Sequence, residues 1–418
     1  VEPSRRHPFD EEADMSRTLR TRVAIVGAGP AGLLLSQLLA NDGIESVIVD
    51  QRTRADIEGT VKAGTLEYGT VQFLIQSGST PHAATVAERH DGIEVWFDGE
   101  PHRLDFPALT GRHAYLYPQH SVLIDQIATR LGAGQDLRFE TTAVAVIDSD
   151  QPVLRVQDAE GAYDIVCDFL VGADGARSIV RPVVTGSSHG GYFREYPYAW
   201  FGILAATTRV SKELMYSASP DGFALISQRT DTLQRLYFQC DPETDPDAFT
   251  EAELWAELQR RIPGKTLQQG PITRRDVLRF RSFVASTLRR GRIAIVGDAA
   301  HTVPPTGAKG INMAVADVVL LAGSLRELLL YGDERPIDGF SDRAMKRIWS
   351  SQHFSWWMTS MTHRAPDADE FDRHRQLGEL RTLFSSEGGR RYLAEYYVGW
   401  PFETVDGIWS APLPAVAA

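Results

Sequence analysis

The stretch Val23-Ala24-Ile25-Val26-Gly27-Ala28-Gly29-Pro30-Ala31-Gly32-Leu33-Leu34-Leu35 decides the fold. An apolar run of strand character meets three spaced glycines and continues into a helical pattern. The first glycine permits a tight turn, the second lets backbone approach a pyrophosphate, and the third lets helix pack close to strand. The helix start then offers free N–H groups and the positive end of its dipole to phosphate. Working outward, Arg22–Ile25 reads as strand, Ala31–Asn41 as helix, and Ser46–Asp50 as a second strand ending in an acid suited to adenosine ribose hydroxyls. That is a right-handed βαβ unit. The Gly-Pro-Ala-Gly interruption, with Ser36 and Gln37, argues against a membrane span over Val23–Ala40.

Two later segments repeat the device. Asp168-Phe-Leu-Val-Gly172-Ala-Asp174-Gly175-Ala-Arg177-Ser178 places an acid and a glycine after an apolar strand. Gly297-Asp298-Ala-Ala-His301-Thr-Val-Pro304-Pro305-Thr306-Gly307-Ala-Lys-Gly310-Ile311-Asn312 does so again, with Asp298 suited to ribityl hydroxyls. Either segment alone reads equally well as a simple turn. Three in this order point to an extended FAD enclosed from both ends of the chain, not to NAD alone.

At 418 residues the chain is long enough for two or three domains. A net charge of -12 disfavours nucleic acid or an anionic membrane as partner, yet leaves room for a small anionic substrate met by local arginines. Cys167 and Cys240 are the only cysteines, which supply neither a disulfide framework nor a metal site and suit a reducing cytoplasm. Residues 1–20 are charged and lack the apolar core of a secretory signal; they read as a flexible extension, with Met15 a candidate start.

The expected architecture is α/β. A Rossmann-like FAD-binding domain of glutathione-reductase type spans 21–192 and resumes at 291–315. A mostly antiparallel substrate-binding sheet is inserted at 193–290, and a helical region at 316–418 carries the apolar anchors Trp356 and Trp357. A helix near Ser121–Leu131 and strands at Val144–Asp148, Val153–Val156 and Tyr163–Val171 complete the first domain. The insertion contributes strands at Tyr198–Ala205, Gly222–Ile226, Arg235–Gln239 and Asp276–Phe283, with a helix near Glu251–Arg261.

Ser227 and Arg229 lie two apart on one strand and so face the same way, as do Arg235 and Tyr237 on the next. A hairpin aiming Ser, Arg and Tyr at one space suits a planar carboxylate. From spacing alone a solvated Arg229 and a turn-side Ser227 are the simpler reading. Likewise Tyr216 and Tyr397 read singly as core residues, and His90, between Arg89 and Asp91, as a surface histidine.

These segments resemble the class A aromatic flavoprotein monooxygenases. The likeness runs from about Thr21 to about Phe402 and includes Gly222-Phe-Ala-Leu-Ile-Ser-Gln-Arg229, Asp298 to Gly310, Phe354-Ser-Trp-Trp-Met-Thr-Ser360 and Tyr397-Val-Gly399. It implies an enzyme using FAD, NADH or NADPH, and O₂ to convert 4-hydroxybenzoate to 3,4-dihydroxybenzoate. Residues matching Ser227, Arg229 and Tyr237 would hold the carboxylate, and Arg235 would help position flavin and substrate. Tyr216 would bind the phenol, Tyr397 pass its proton on, and His90 end the relay. Pro305 and Thr306 would line the substrate beside the flavin's reactive edge. Gln119, Gly310, Ile311 and Asn312 would stand near the cofactor, and His301 would be structural. The helices around Trp356, Trp357 and Met358 are implied as a homodimer face, although an internal helical core fits them nearly as well.

The chain departs from NADPH-using members at Gln51 and Asp56, where those carry arginine and tyrosine. Asp56 would repel a 2′-phosphate while Arg52 and Arg54 could attract one, so NADH preference or dual use is expected. Lys62, where arginine is usual, keeps the charge without the planar fork, and weaker FAD retention or a higher nicotinamide Michaelis constant is expected. A related acid such as 4-aminobenzoate or a dihydroxybenzoate remains open as substrate. So does a non-hydroxylating FAD oxidase or an aromatic-acid sensor.

Overall fold

The computed structural model describes residues 17–60, 64–187 and 189–412; Lys62 lies outside them. The first sheet has a parallel centre in the order Ile293–Ile295, Gly161–Gly172, Thr18–Val26, Ser46–Val49, Leu137–Arg138. Strands Thr142–Ile147 and Val153–Asp158 add an antiparallel meander to Gly161–Gly172. The strand opened by Thr18 begins inside the segment expected to be a flexible extension: Thr18 pairs with Asp164 and Leu19 with Ile165.

The helix Pro30–Asn41 starts with proline at its first turn, where a missing N–H is harmless. Leu33, Leu34, Leu35 and Leu39 are buried against this sheet and the helix Gly310–Arg326. Burying each such side chain is worth about 1.5–3 kcal/mol. The first and third glycines of the motif have distinct reasons. Gly27 sits at φ +106°, where an added Cβ would lie 2.4 Å from the Ala173 carbonyl oxygen. Strand-end turns from two βα units therefore meet at van der Waals distance. A Cβ at Gly32 would fall 2.1 Å from the Gly27 carbonyl oxygen, so this position sets the helix-to-strand approach.

The second sheet runs His301–Thr302, Ile272–Ala285, Gly191–Ala205, Leu233–Cys240, Gly222–Thr230, Leu214–Ser219, Gly92–Phe97, Glu100–Asp105. It is antiparallel except where Leu214–Ser219 pairs in parallel with Gly92–Phe97. The substrate sheet is therefore not confined to 193–290: a hairpin from 92–105 completes it. Leu214–Ser219 itself, the strand that carries Tyr216, is short and was not anticipated as a strand.

Helices Phe340–Thr362, Glu370–Ser385 and Glu387–Val398 close over this sheet. Met358 is fully buried in their core, which corrects the expectation that it faces a partner, whereas Trp356 is exposed. Cys167 and Cys240 are both free. Among the described residues no helix is long and apolar enough to cross a membrane, and no cluster of metal-ligating side chains occurs.

Candidate active site

A cleft of about 890 Å³ runs between the two sheets. Its nucleotide end is lined by Gly27, Gly29, Asp50, Gln51, Arg52 and Gln119, its middle by Asp174, Asp298, Pro305, Gly310 and Ile311, and its far end by Tyr216, Ser227, Arg229, Arg235 and Tyr237. Residues expected to hold cofactor and substrate thus share one continuous space. Gly32 stays within the helix packing.

The nucleotide end departs from expectation in one respect. Asp50 is buried and occupied: its carboxylate accepts the Ala28 N–H at 2.8 Å and a two-point contact from Arg52, Nε at 3.0 Å and the terminal nitrogen at 2.8 Å. Arg52 is thereby committed to Asp50, not free to draw a 2′-phosphate, and its pKa is raised by that hydrogen bond. Arg54 is paired with Glu58 at 2.6 Å. Asp56 closes a capping box with Thr53 and remains exposed.

Midway, Asp174 accepts the Ile179 N–H at 2.8 Å through one oxygen, while its buried second oxygen has no protein partner. Burial pushes its pKa up. The hydroxyl of Thr306 is likewise unpartnered, but Thr306 is fully buried and does not line the cleft. Buried polar atoms normally find partners. The tight glycine turn at one end and the open Asp174 oxygen farther along fit an elongated, polyhydroxylated cofactor such as FAD.

The loop after Pro305 is held by strain and charge. Gly307 has φ +84°, and a Cβ there would meet the Phe354 ring at 2.5 Å. The next residue, Ala308, also has positive φ, at 52°. Lys309 lines the cleft and is almost wholly buried; its ammonium donates to Glu67 at 2.6 Å and to the Tyr396 carbonyl. Arg347 takes the other Glu67 oxygen at 3.0 Å. Asn312 does not line the cleft: its amide receives the Glu67 N–H at 2.9 Å and donates to the Ala308 carbonyl at 2.7 Å, bracing the loop from behind. His301, buried, meets Asp317 at 2.5 Å, and Asp317 also accepts the Gly297 N–H, so this histidine is a strut under the Gly297–Asp298 turn.

At the far end, Ser227 stands opposite Arg235, and Leu225 opposite Tyr237, in adjacent strands. Arg235 is paired with Asp276 at 2.5 Å, and its guanidinium lies 4.8 Å from the Tyr237 ring centre. Room for that pair comes from Gly202, where a Cβ would meet both groups within 2.5 Å. Arg229 has no carboxylate partner among the described residues. Burial lowers its pKa, with Tyr237 opposing that shift and Arg235 adding to it. A half-buried guanidinium without a protein anion is a site for an external one.

Facing this arginine end, the hydroxyls of Tyr216 and Tyr397 are 2.7 Å apart, with both residues buried. Burial pushes Tyr216 up to about 12 and holds Tyr397 well above the usual tyrosine value. Both are therefore neutral near pH 7 and able to pass a proton along a hydrogen bond. Tyr216 lines the cleft, whereas Tyr397 stands behind it against the Phe106 ring. His90 is buried, contrary to a surface reading of its Arg-His-Asp context, and neither ring nitrogen has a partner. Its pKa is lowered by burial. Its strand pairs His90 with Ala114, which packs in the same apolar cluster as Tyr216 and Tyr397. Trp200, a cleft wall not singled out from sequence, donates its indole N–H to buried His363 at 2.7 Å.

The FAD binding domain family matches residues 20–355. Over 392 residues the chain is 37% identical to the p-hydroxybenzoate hydroxylase of Acinetobacter baylyi, covering 93% of this chain and 97% of that one. It is 24% identical over 324 residues to a probable NADH-specific resorcinol 4-hydroxylase of Rhodococcus jostii, covering 73% of this chain and 59% of that one. Among solved structures, p-nitrophenol 4-monooxygenase from Pseudomonas putida shares the fold, with TM-score 0.78 at 20% identity over 91% of this chain and 99% of that one.

Proposed function

Since the chain belongs to the FAD binding domain family and is a flavoprotein aromatic monooxygenase, we propose that it hydroxylates 4-hydroxybenzoate to 3,4-dihydroxybenzoate with a reduced nicotinamide and O₂. The observation that carries this reading is the Tyr216–Tyr397 hydroxyl pair at 2.7 Å, opening on the same cleft as the acid-free Arg229. One end suits a carboxylate and the other a phenol, the two groups that 4-hydroxybenzoate carries at opposite ends of its ring.

FAD, when bound and reduced, supplies with O₂ an electrophilic oxygen for the ring. The chain's own groups do the rest. Arg229 binds the carboxylate, and Ser227 and Tyr237 add hydroxyl donors. Tyr216 accepts the phenol's hydrogen bond and shares its proton with Tyr397, raising electron density ortho to the phenolic oxygen. His90 stands as the outer acceptor of that proton. Trp200 and Leu225 exclude water from the reacting edge. Pro305 would border the reactive side of a bound flavin, with Thr306 next to it in the same loop, which Lys309 ties to Glu67.

NADH is the proposed reductant, because Arg52 and Arg54 are committed to Asp50 and Glu58 while Asp56 stays exposed. Exposed Trp349, Trp356 and Phe371 support a homodimer face on the C-terminal helices, which sedimentation would read directly. The unpaired cysteines support a cytoplasmic setting.

The test is nicotinamide oxidation by FAD-loaded protein with and without 4-hydroxybenzoate, quantifying 3,4-dihydroxybenzoate and H₂O₂. Substrate-stimulated oxidation with near-equal product is expected. Stimulated oxidation giving mainly H₂O₂ would transfer the assignment to another aromatic acid, and no stimulation would reject hydroxylation of this substrate.

A further inference from the structure

At the C-terminal end of the strand bearing Tyr216 lies a second cavity, of about 380 Å³, between the substrate sheet and the C-terminal helices. Its volume falls within the range of small-molecule sites. Its apolar lining combines two aromatic rings, Trp96 and Phe97, with Met361, Leu377 and Leu380. Two acids border it, and both are committed, Asp98 to Arg381 at 2.7 Å and Asp221 to Arg260 at 3.2 Å.

The cations are less committed. Arg364 has no carboxylate partner among the described residues; it is anchored by its side-chain donation to the Pro220 carbonyl at 3.3 Å. Arg373 is only loosely paired: its Nε approaches Glu370 at 3.4 Å without completing a hydrogen bond. Two aromatic walls, with Arg364 free of any acid among the described residues and Arg373 only loosely paired at the rim, make a site for a ring bearing one negative charge. We propose that this cavity is a second binding site, selective for small aromatic monocarboxylates. The inference does not depend on the reading of the first cleft.

Its position gives occupancy a route to the cleft. His363 lines the second cavity, and its Nε2 accepts the indole N–H of Trp200, a wall of the first. Ser217, also on the lining, is the neighbour of Tyr216.

The probe is 4-fluorobenzoate, observed by ¹⁹F NMR on the FAD-loaded protein. Two bound environments are expected. Arg364→Met with Arg373→Met should weaken one at least about tenfold, the loss expected when a charge-assisted pair is removed, while Arg229→Met removes the other. Should the double variant fail to fold, Ala368→Phe, which fills the cavity without removing charge, should abolish the same signal. Neutral 4-fluorobenzamide should not occupy the second site, and octanoate should not displace 4-fluorobenzoate from it. A single environment lost with Arg229→Met, or a second one indifferent to both sets of cavity variants, overturns the proposal. Equal binding of the amide, or displacement by octanoate, overturns the ligand class. If only the cavity-dependent environment appears, the second site stands and the reading of the first cleft fails.

Discussion

Replacing Arg229 with methionine keeps the bulk of the side chain and removes its charge. Arg229 is the lining cation of the substrate end that lacks a protein acid, since Arg235 is held by Asp276. A substrate carboxylate would therefore be its counter-charge, in a pocket shielded from water. Truncating one partner of such a buried, hydrogen-bonded charge pair costs about 2–5 kcal/mol. At about 1.4 kcal/mol per tenfold, 4-hydroxybenzoate should bind roughly thirtyfold to a few thousandfold more weakly. The assay is titration of flavin absorbance with 4-hydroxybenzoate and, in parallel, with 4-hydroxybenzamide, which offers no anion. The acid should lose affinity steeply and the amide little. Arg229→Lys should fall between, because it keeps the charge without the fork. Equal losses for acid and amide, or less than a threefold loss for the acid, would refute the assignment of Arg229 as the carboxylate anchor.

Tyr397→Phe should lower hydroxylation about 10²-fold, the lower range for a positioned proton-transfer group, while leaving affinity for 4-hydroxybenzoate nearly unchanged. The double variant with Tyr216→Phe should be little worse, because the pair acts as a unit; an unaltered product yield would end the relay argument. For nucleotide choice, kcat/KM at limiting concentration should favour NADH. Asp56→Ala should narrow the gap by less than about fivefold, as suits an exposed charge, and a wild-type preference for NADPH would contradict the pairing of Arg52 with Asp50. The pH dependence of folding tests the buried strut: burial alone would lower the His301 pKa, but Asp317 overrides it and the net shift is upward. The stability this pair contributes is then full below about pH 6.5, the unperturbed histidine value, and is lost as pH rises through the raised folded value. Urea midpoints of wild type and Asp317→Asn should therefore converge at alkaline pH, and a gap that widens there has the wrong sign.

Legibility from sequence divides along one physical line. Signals carried by neighbouring residues were readable: the glycine turn, the helix behind it and the acid at Asp50 all lie in one local unit. The parallel centre of the first sheet follows from them. The strand Leu214–Ser219 was missed because its alternation is short and one of its partners, Gly92–Phe97, lies far upstream. The same distance hid the Lys309–Glu67–Arg347 group, whose members come from three separated segments. At Asp50 the residue type was legible but not its occupation by Arg52, since a side-chain pairing across two positions leaves no periodic trace. His90 shows the opposite case: its charged neighbours suggested exposure, yet the short strand pairing with Tyr115 and Ala114 turns it inward.

The parallel pairing of Ile93 with Leu214 also has a consequence for the protein's birth. The hairpin 92–105 emerges from the ribosome about 120 residues ahead of the strand that will cover its edge. At synthesis rates of about 5–20 residues per second, that edge waits about 6–24 s. During the wait it is an unpaired template for any other nascent strand, and the hairpin carries its own protection in Glu94 facing Arg103 across the turn. Arg103 later closes on Glu213, the residue just before the arriving strand, at 2.7 Å. Glu94 guards the edge, and Arg103 on the neighbouring strand fastens the segment that arrives, so neutralising Arg103 should show itself in the yield of folded protein made in a cell before it shows in the enzyme's turnover.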